Sequence, residues 1–272
     1  MNLERLNERL PGKCAFISGA ASGLGAAFSK LLAENGWTLL LSDINKNGLD
    51  EFRRGLPNNN SVSTYELNVA DKDNFNAVAD QIRMTGKHID LIINNAGIGD
   101  GELIQHYQVD AWEKMIQINV LGTYYGVNYL LPLIPKEGGM IINIGSAAGF
   151  MNAPGMSAYN ASKAAVYSFS ETIYHELKPK NIHVSVVTPT FFKTNIMSQA
   201  SGSEKFVDFA EKQMKYSTTN ADEMAFVVLS ESAKGRFQII HPKDARKNHF
   251  IKKWFPGLVE KQFRKLIAKF SQ

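Results

Sequence analysis

The chain predicts an α/β fold: a doubly wound parallel sheet with helices on both faces, followed by a C-terminal helical extension. Three observations lead there. Short apolar runs alternate with amphipathic runs along the whole chain, and such alternation builds a parallel sheet covered by helices. Connections of this kind are right-handed, which winds the sheet outward in two directions. A glycine-rich turn also sits between the first apolar run and the first amphipathic one, where phosphate-binding turns of doubly wound folds lie.

The elements follow in order. Cys14–Ser18 is the first strand, and 26–35 an amphipathic helix. Strands are expected at 38–42 and 62–69, with helical periodicity at 74–85 between the second of these and a strand at 89–94. Residues 112–131 predict one long helix, 140–145 a strand, 159–177 a helix, 183–188 a strand and 237–241 a last strand. Residues 191–215 show no clean period and are expected to be irregular, placed after a strand to cover a ligand. No Pro/Gly/Ser linker or repeat divides the chain, which parses as one domain over 1–242 and an extension over 243–272.

Composition narrows the class. A length of 272 residues with 44% hydrophobic and 21% charged residues suits one large globular domain and excludes wholesale disorder or a collagen-like repeat. The single cysteine, Cys14, excludes an intrachain disulfide and a Cys-rich zinc site, so no metal is expected. No apolar run approaches the roughly 20 residues that span a bilayer. Residues 1–13 alternate charge signs without an apolar core, unlike a secretory signal. The expected location is the cytoplasm.

The net charge of +4 is unevenly placed. Residues 234–272 hold eleven Lys or Arg against two acids, a net +9, which leaves residues 1–233 at −5. From Leu258 the apolar residues 258, 259, 263, 266, 267 and 270 have helical spacing, with Lys261, Arg264, Lys265 and Lys269 between them. The simpler reading is a helix docked on its own domain or a partner subunit with solvated lysines. The alternative is peripheral contact with an anionic membrane through residues 250–270. No recognisable binding module accompanies the charge, so no nucleic-acid partner is expected.

The glycine-rich turn runs through Gly19, Ser22, Gly23, Leu24 and Gly25. Glycines let backbone approach a pyrophosphate, and the helix N-terminus behind them offers N–H donors; a mere packing turn is the bland alternative. Asp43 follows Gly25 by 18 residues. A carboxylate there accepts from both adenosine ribose hydroxyls and repels a 2′-phosphate. No Arg or Lys stands at Ser22 or Ile44, so NAD is expected over NADP. The bland alternative is that Asp43 only caps a turn with Asn45.

Tyr159 and Lys163 are four apart on a predicted helix and share a face. A phenol ordinarily titrates near ~10. A cationic lysine beside it, together with the positive nicotinamide ring, favours its phenolate and makes it a useful general acid or base. Ser146, at the end of strand 140–145, is placed to hold a substrate oxygen. Asn119 lies inside a predicted helix, where its side-chain carbonyl would hold a water relaying protons to Lys163.

Together these motifs resemble the short-chain dehydrogenase/reductase family over roughly residues 10–241. The family's Thr-Gly-x-x-x-Gly-x-Gly stands as Ser18-Gly19 through Gly23-Leu24-Gly25, with serine for threonine. Its Asn-Asn-Ala-Gly stands at Asn94, Asn95, Ala96 and Gly97, and its adenine-contacting pair at Asn68 and Val69. Its catalytic set matches Asn119, Ser146, Tyr159 and Lys163, and its motif after the sixth strand matches Pro189, Phe192 and Thr194. The resemblance implies a Rossmann-like fold and reversible hydride transfer between a nicotinamide and a secondary alcohol or carbonyl. Tyr159 would be the acid/base, with its pKa lowered by Lys163. Lys163 would also bind the nicotinamide ribose, and Phe192 and Thr194 would contact the nicotinamide end.

Two departures stand out: Thr190 replaces the usual glycine, and no Thr-Gly-Gln-like segment precedes the last strand. The second favours a homodimer through the long helices, with a tetramer as the alternative. Residues 147–158 carry no charge, and Phe191, Phe192, Ile196 and Met197 add an apolar cover. That suits a hydrophobic, lipid-, steroid- or retinoid-like substrate. The alternatives are an NADPH-dependent 3-oxoacyl thioester reductase, its acidic carrier drawn by the basic tail, and a non-catalytic dinucleotide sensor or scaffold.

Overall fold

The computed structural model describes residues 1, 3–192 and 203–270. A short helix α1 (Glu4–Arg9) precedes β1 (Cys14–Ser18), whose five residues are all buried. Next come α2 (Gly23–Glu34), β2 (Thr38–Asp43), α3 (Lys46–Arg54), β3 (Val62–Glu66), α4 (Lys72–Met84) and β4 (Leu91–Asn94). Caps fix two helix starts: the Asn45 side chain accepts from Gly48 N at 3.0 Å, and Asp71 accepts from Asp73 N and Asn74 N at 2.9 and 3.1 Å.

The predicted long helix is divided. It consists of α5 (Val109–Ile116), a π-helical turn over Gln117–Leu121 and α6 (Gly122–Leu130). Then follow β5 (Gly139–Ile144), α7 (Ala148–Met151), α8 (Ser157–Leu177) and β6 (Ile182–Val187). The last elements are α9 (Glu204–Tyr216), α10 (Ala221–Ala233), β7 (Gln238–Ile239), α11 (Lys243–Trp254) and α12 (Pro256–Phe270). β7 is shorter than expected; Pro242 follows it and has no N–H to pair.

The sheet has the order β3-β2-β1-β4-β5-β6-β7, with every neighbour parallel. Successive strand residues point to opposite faces. Ile17, Leu39, Leu41, Ile93 and Ile142 therefore pack with α1, α2 and α10. Phe16, Leu40, Ile92, Ile141 and Val184 pack with α4, α6 and α8. Both faces are covered, which is why the strands read as near-continuous apolar runs. After β3 the chain crosses back and places β4 on the other side of β1. That reversal opens a crevice at the C-terminal ends of the strands, where ligands bind in such sheets.

Candidate active site

The nucleotide half of the crevice is built by backbone. Gly19 has φ +65, and a Cβ there would stand 2.9 Å from Ala96 Cα. A Cβ on Gly25 would stand 2.1 Å from Gly19 O, so only glycine lets the turn fold against the helix it precedes. The turn is pinned to β4's end. Ser18 Oγ accepts from Asn95 N and Ala96 N at 3.1 Å each, while Asn95 Nδ2 donates to Ser18 O and Gly19 O at 2.9 and 3.0 Å. Ser18, Gly25 and Asn95 thus shape the turn. Ser22, Gly23 and Leu24 face the cleft at the start of α2, and the Ser22 side chain caps none of that helix's first N–H groups. Open donors at a positive dipole end, on a turn whose Gly19 and Gly23 carry no Cβ, fit a pyrophosphate.

Asp43 ends β2 at the cleft wall. Its Oδ2 accepts from Ala21 N at 3.0 Å and its Oδ1 from Asn45 N at 2.9 Å. The carboxylate therefore does cap the turn with Asn45, and it is also held against the glycine-rich turn. A carboxylate has about four acceptor sites, so capacity for a ribose diol remains. Lys46 is the nearest cation in sequence, but its amine is engaged by Asp50 and by Thr64 Oγ1, the latter at 3.0 Å. Asn68 and Val69 line the cleft beyond the end of β3; Asn68 Oδ1 accepts from Ala70 N at 3.1 Å. Ala96 and Gly97 line it from the other side, as do Pro189 and Phe192. Thr194, Ile196 and Met197 lie outside the described residues.

The chemical end gathers around α8. Tyr159 and Lys163 share its cleft-facing side, with Lys163 Nζ 5.7 Å from the centre of the Tyr159 ring. Lys163 is 3% exposed, and its amine donates to Ile144 O at 2.9 Å. Burial pushes its pKa down to about 8. Burial also raises the Tyr159 phenol above its ordinary value, and a hydrogen bond with the Ser146 hydroxyl only partly offsets that. Among the protein's own groups, desolvation of the phenol outweighs the hydrogen bond with Ser146. Ser146 lies at the cleft, just past β5, where its Oγ accepts from Ala148 N at 3.1 Å.

Asn119 sits in the π turn, 1% exposed, behind the cleft rather than in it. Such turns redirect a side chain within a helix and recur at functional sites. Its Oδ1 accepts from Ile98 N at 2.9 Å, and its Nδ2 donates to Ile98 O at 3.0 Å and to Ser162 Oγ at 3.1 Å. A Cβ on Gly97 would stand 3.0 Å from Asn119 Oδ1 and 3.5 Å from Lys163 Nζ. Asn119 and Lys163 thus face one gap that the glycine keeps open.

Comparison with known proteins decides the family. A family model described as short chain dehydrogenase matches residues 13–205. The chain belongs to the short-chain dehydrogenase/reductase family. It is 36% identical over 190 residues to a 3-oxoacyl-[acyl-carrier-protein] reductase of Thermotoga maritima, covering 68% of this chain and 76% of that protein. It is 31% identical over 199 residues to an uncharacterized oxidoreductase of Bacillus subtilis, covering 72% and 73%. A short chain dehydrogenase/reductase from Burkholderia phymatum, solved in complex with NAD, superposes with a TM-score of 0.78 at 29% identity, covering 87% and 91%. A short-chain dehydrogenase from Streptomyces avermitilis shares the fold, with a TM-score of 0.79 at 24% identity.

This short-chain dehydrogenase/reductase closes its substrate end with elements beyond the family match. Residues 191–215 are not irregular throughout, since α9 occupies their second half. Ser203 starts it by accepting from Phe206 N at 3.3 Å, and Phe206, Ala210 and Met214 form a buried row four residues apart. That i, i+4, i+8 spacing after a serine was the available signal. The row packs with Ala153, Met156, Tyr159 and Phe191. Met151 faces the cleft, whereas Phe150 anchors α11 through the His249 ring, 4.6 Å between centroids. Asn248 of α11 and Gln262, Phe263 and Leu266 of α12 complete the wall of a cleft of about 1130 Å³. Sequence reasoning missed all four, because nothing local says that a tail returns to the sheet's C-terminal edge.

Proposed function

We propose that this chain is an NAD-dependent oxidoreductase that transfers a hydride between the nicotinamide and a secondary alcohol or carbonyl on an apolar compound, lipid-, steroid- or retinoid-like. One observation carries the reading. A single cleft runs from the glycine-rich turn and Asp43 past Ser146, Tyr159 and Lys163 to a wall of apolar side chains. When bound, the nicotinamide supplies or accepts the hydride. The chain's own residues do the rest. Gly19, Gly23 and the start of α2 hold the pyrophosphate, and Asp43 accepts from the adenosine ribose. Asn68 and Val69 flank the adenine, Ala96 and Gly97 line the cofactor's path across the cleft, and Pro189, Phe192 and Thr194 take the nicotinamide end.

Ser146 holds the substrate oxygen, and Tyr159 gives it a proton in reduction or takes one in oxidation. Lys163 hydrogen-bonds the nicotinamide ribose and supplies the charge that stabilises a phenolate. A water in the gap over Gly97 connects Lys163 to Asn119 and replenishes the proton. We place a homodimer interface on the long helices, where Leu121 and Tyr124 stay exposed and Tyr124 packs edge-on against Phe169 of α8.

The Thermotoga relative favours a second reading, reduction of a 3-oxoacyl thioester with NADPH. The Asp43 carboxylate and the engaged Lys46 stand against the 2′-phosphate this needs. The test is turnover over a panel of apolar secondary alcohols, their ketones and a 3-oxoacyl thioester, for the wild type and Tyr159→Phe. The expected result is turnover of an apolar alcohol or ketone that Tyr159→Phe lowers by roughly a hundredfold or more, with NADH binding retained. Turnover confined to the thioester makes the second reading correct. NADH binding with no turnover across the panel makes the chain a sensor.

A further inference from the structure

The helix pair α11–α12 presents two faces. The inner one belongs to the molecule: Ala245 and Val259 are buried, His249 packs on Phe150, and Phe263 and Leu266 line the cleft. The outer corner, where the helices meet, is apolar and exposed. Phe250 and Trp254 are one helical turn apart on α11. Phe255 packs on Phe250 at 6.3 Å, and Leu258 N bonds Phe255 O at 3.0 Å, which brings Leu258 round the same joint. These four side chains are 53–61% exposed. Cations accompany them: Lys253 Nζ lies 5.5 Å over the Trp254 ring, and Lys261, Arg264 and Lys265 are exposed along α12, Arg264 paired with Glu260 at 2.6 Å.

We infer that this corner docks on an anionic lipid bilayer. Two properties select that occupant. The net charge of +9 over residues 234–272 complements an anionic surface. Three exposed aromatic rings flanked by lysine ammonium groups suit the boundary between headgroups and acyl chains, where an apolar body inserts and the charged heads stay wet. An acidic soluble protein would answer the charge but leave the rings exposed to water. A two-fold contact between copies would set the corner against itself and oppose like charges. The surface does not rest on the hydride-transfer reading, and a chain that bound vesicles without turning over would retain it.

The test uses the full chain with vesicles of phosphatidylcholine alone or mixed with phosphatidylglycerol. Wild type is expected to sediment with the mixed vesicles only, less so as salt rises, with Trp254 emission shifting to shorter wavelength. Trp254→Ala/Phe255→Ala is expected to lose vesicle partition by roughly tenfold or more. Lys253→Gln/Lys261→Gln/Lys265→Gln is expected to lose at least as much. All five positions are exposed, so circular dichroism melts should match wild type. Wild type that stays in the supernatant with anionic vesicles at low salt overturns the inference. So does an aromatic variant that binds like wild type, which would leave a charge-only site for an acidic partner. A wild type that runs as a larger species than the aromatic variant without binding vesicles assigns the corner to self-association instead.

Discussion

At Lys163 the protein holds an amine where burial works against its charge. The folded value of about 8 lies below the ordinary 10.5. Below about pH 8 the charged form must be desolvated, so the full cost is present there. From about 8 to 10.5 the unfolded chain binds more protons than the folded one, so stability rises with pH across that window. Lys163→Met removes the cost and also the bond to Ile144 O. The net expectation is a gain of about 1–2 kcal/mol near neutral pH that fades toward pH 10, together with loss of turnover. Thermal melts across that range check it; a variant destabilised at neutral pH would mean that the Ile144 bond outweighs desolvation. The proposed use of this cation in catalysis would account for the position's not being simply apolar. Tyr159 and Lys163 were legible in sequence because their relation is local, four residues on one helix. The upward push of burial on the phenol was not, because it depends on how much protein surrounds the ring.

At the scale of elements, a buried polar chain ties the sheet to its helices. Asn94 Nδ2 donates to Asn143 Oδ1 at 2.8 Å, and Asn143 Nδ2 donates to Ser170 Oγ at 2.9 Å, linking β4, β5 and α8. α6 approaches this chain through Gly126, where a Cβ would stand 1.9 Å from Asn94 Oδ1. Gly126→Ala must therefore push α6 outward or turn Asn94 out of its network. Urea unfolding is expected to show a loss of about 2–4 kcal/mol; an unchanged midpoint would mean that α6 shifts freely. The strands were legible because a parallel sheet buried on both faces needs continuous apolar runs. The π turn at Gln117–Leu121 was not, since the run 112–131 keeps an ordinary helical pattern and the extra residue per turn shows only in the backbone. α9 was legible in principle through Phe206, Ala210 and Met214, but the serines, glycine and further aromatics of residues 191–215 hid the row.

Across the whole molecule, a body of net −5 carries a tail of net +9 that folds back over the cleft. In the proposed reading the nucleotide half comes from β1–β6 and the substrate half from α7, α9, α11 and α12. The two halves should therefore separate in kinetics. Phe263→Ala and Leu266→Ala, alone or together, are expected to raise KM for an apolar alcohol about tenfold, with the Kd for NADH unchanged. Equal losses in both constants would mean that α12 braces the whole cleft. The family match spans residues 13–205, and the proposed nucleotide site falls within them. The apolar wall depends on contacts such as that of Phe150 with His249, about a hundred residues apart, which no local pattern encodes.

The account turns on an NAD site built around Asp43, and its most direct test is a titration of the protein with NADH and NADPH, followed by cofactor fluorescence at fixed salt, for wild type and Asp43→Asn. The wild type should bind NADH at least about tenfold more tightly than NADPH, a difference of about 1.4 kcal/mol. The variant, which keeps an acceptor but loses the charge, should narrow that gap. Tighter NADPH binding by wild type, or a gap that Asp43→Asn leaves unchanged, would contradict the site as described.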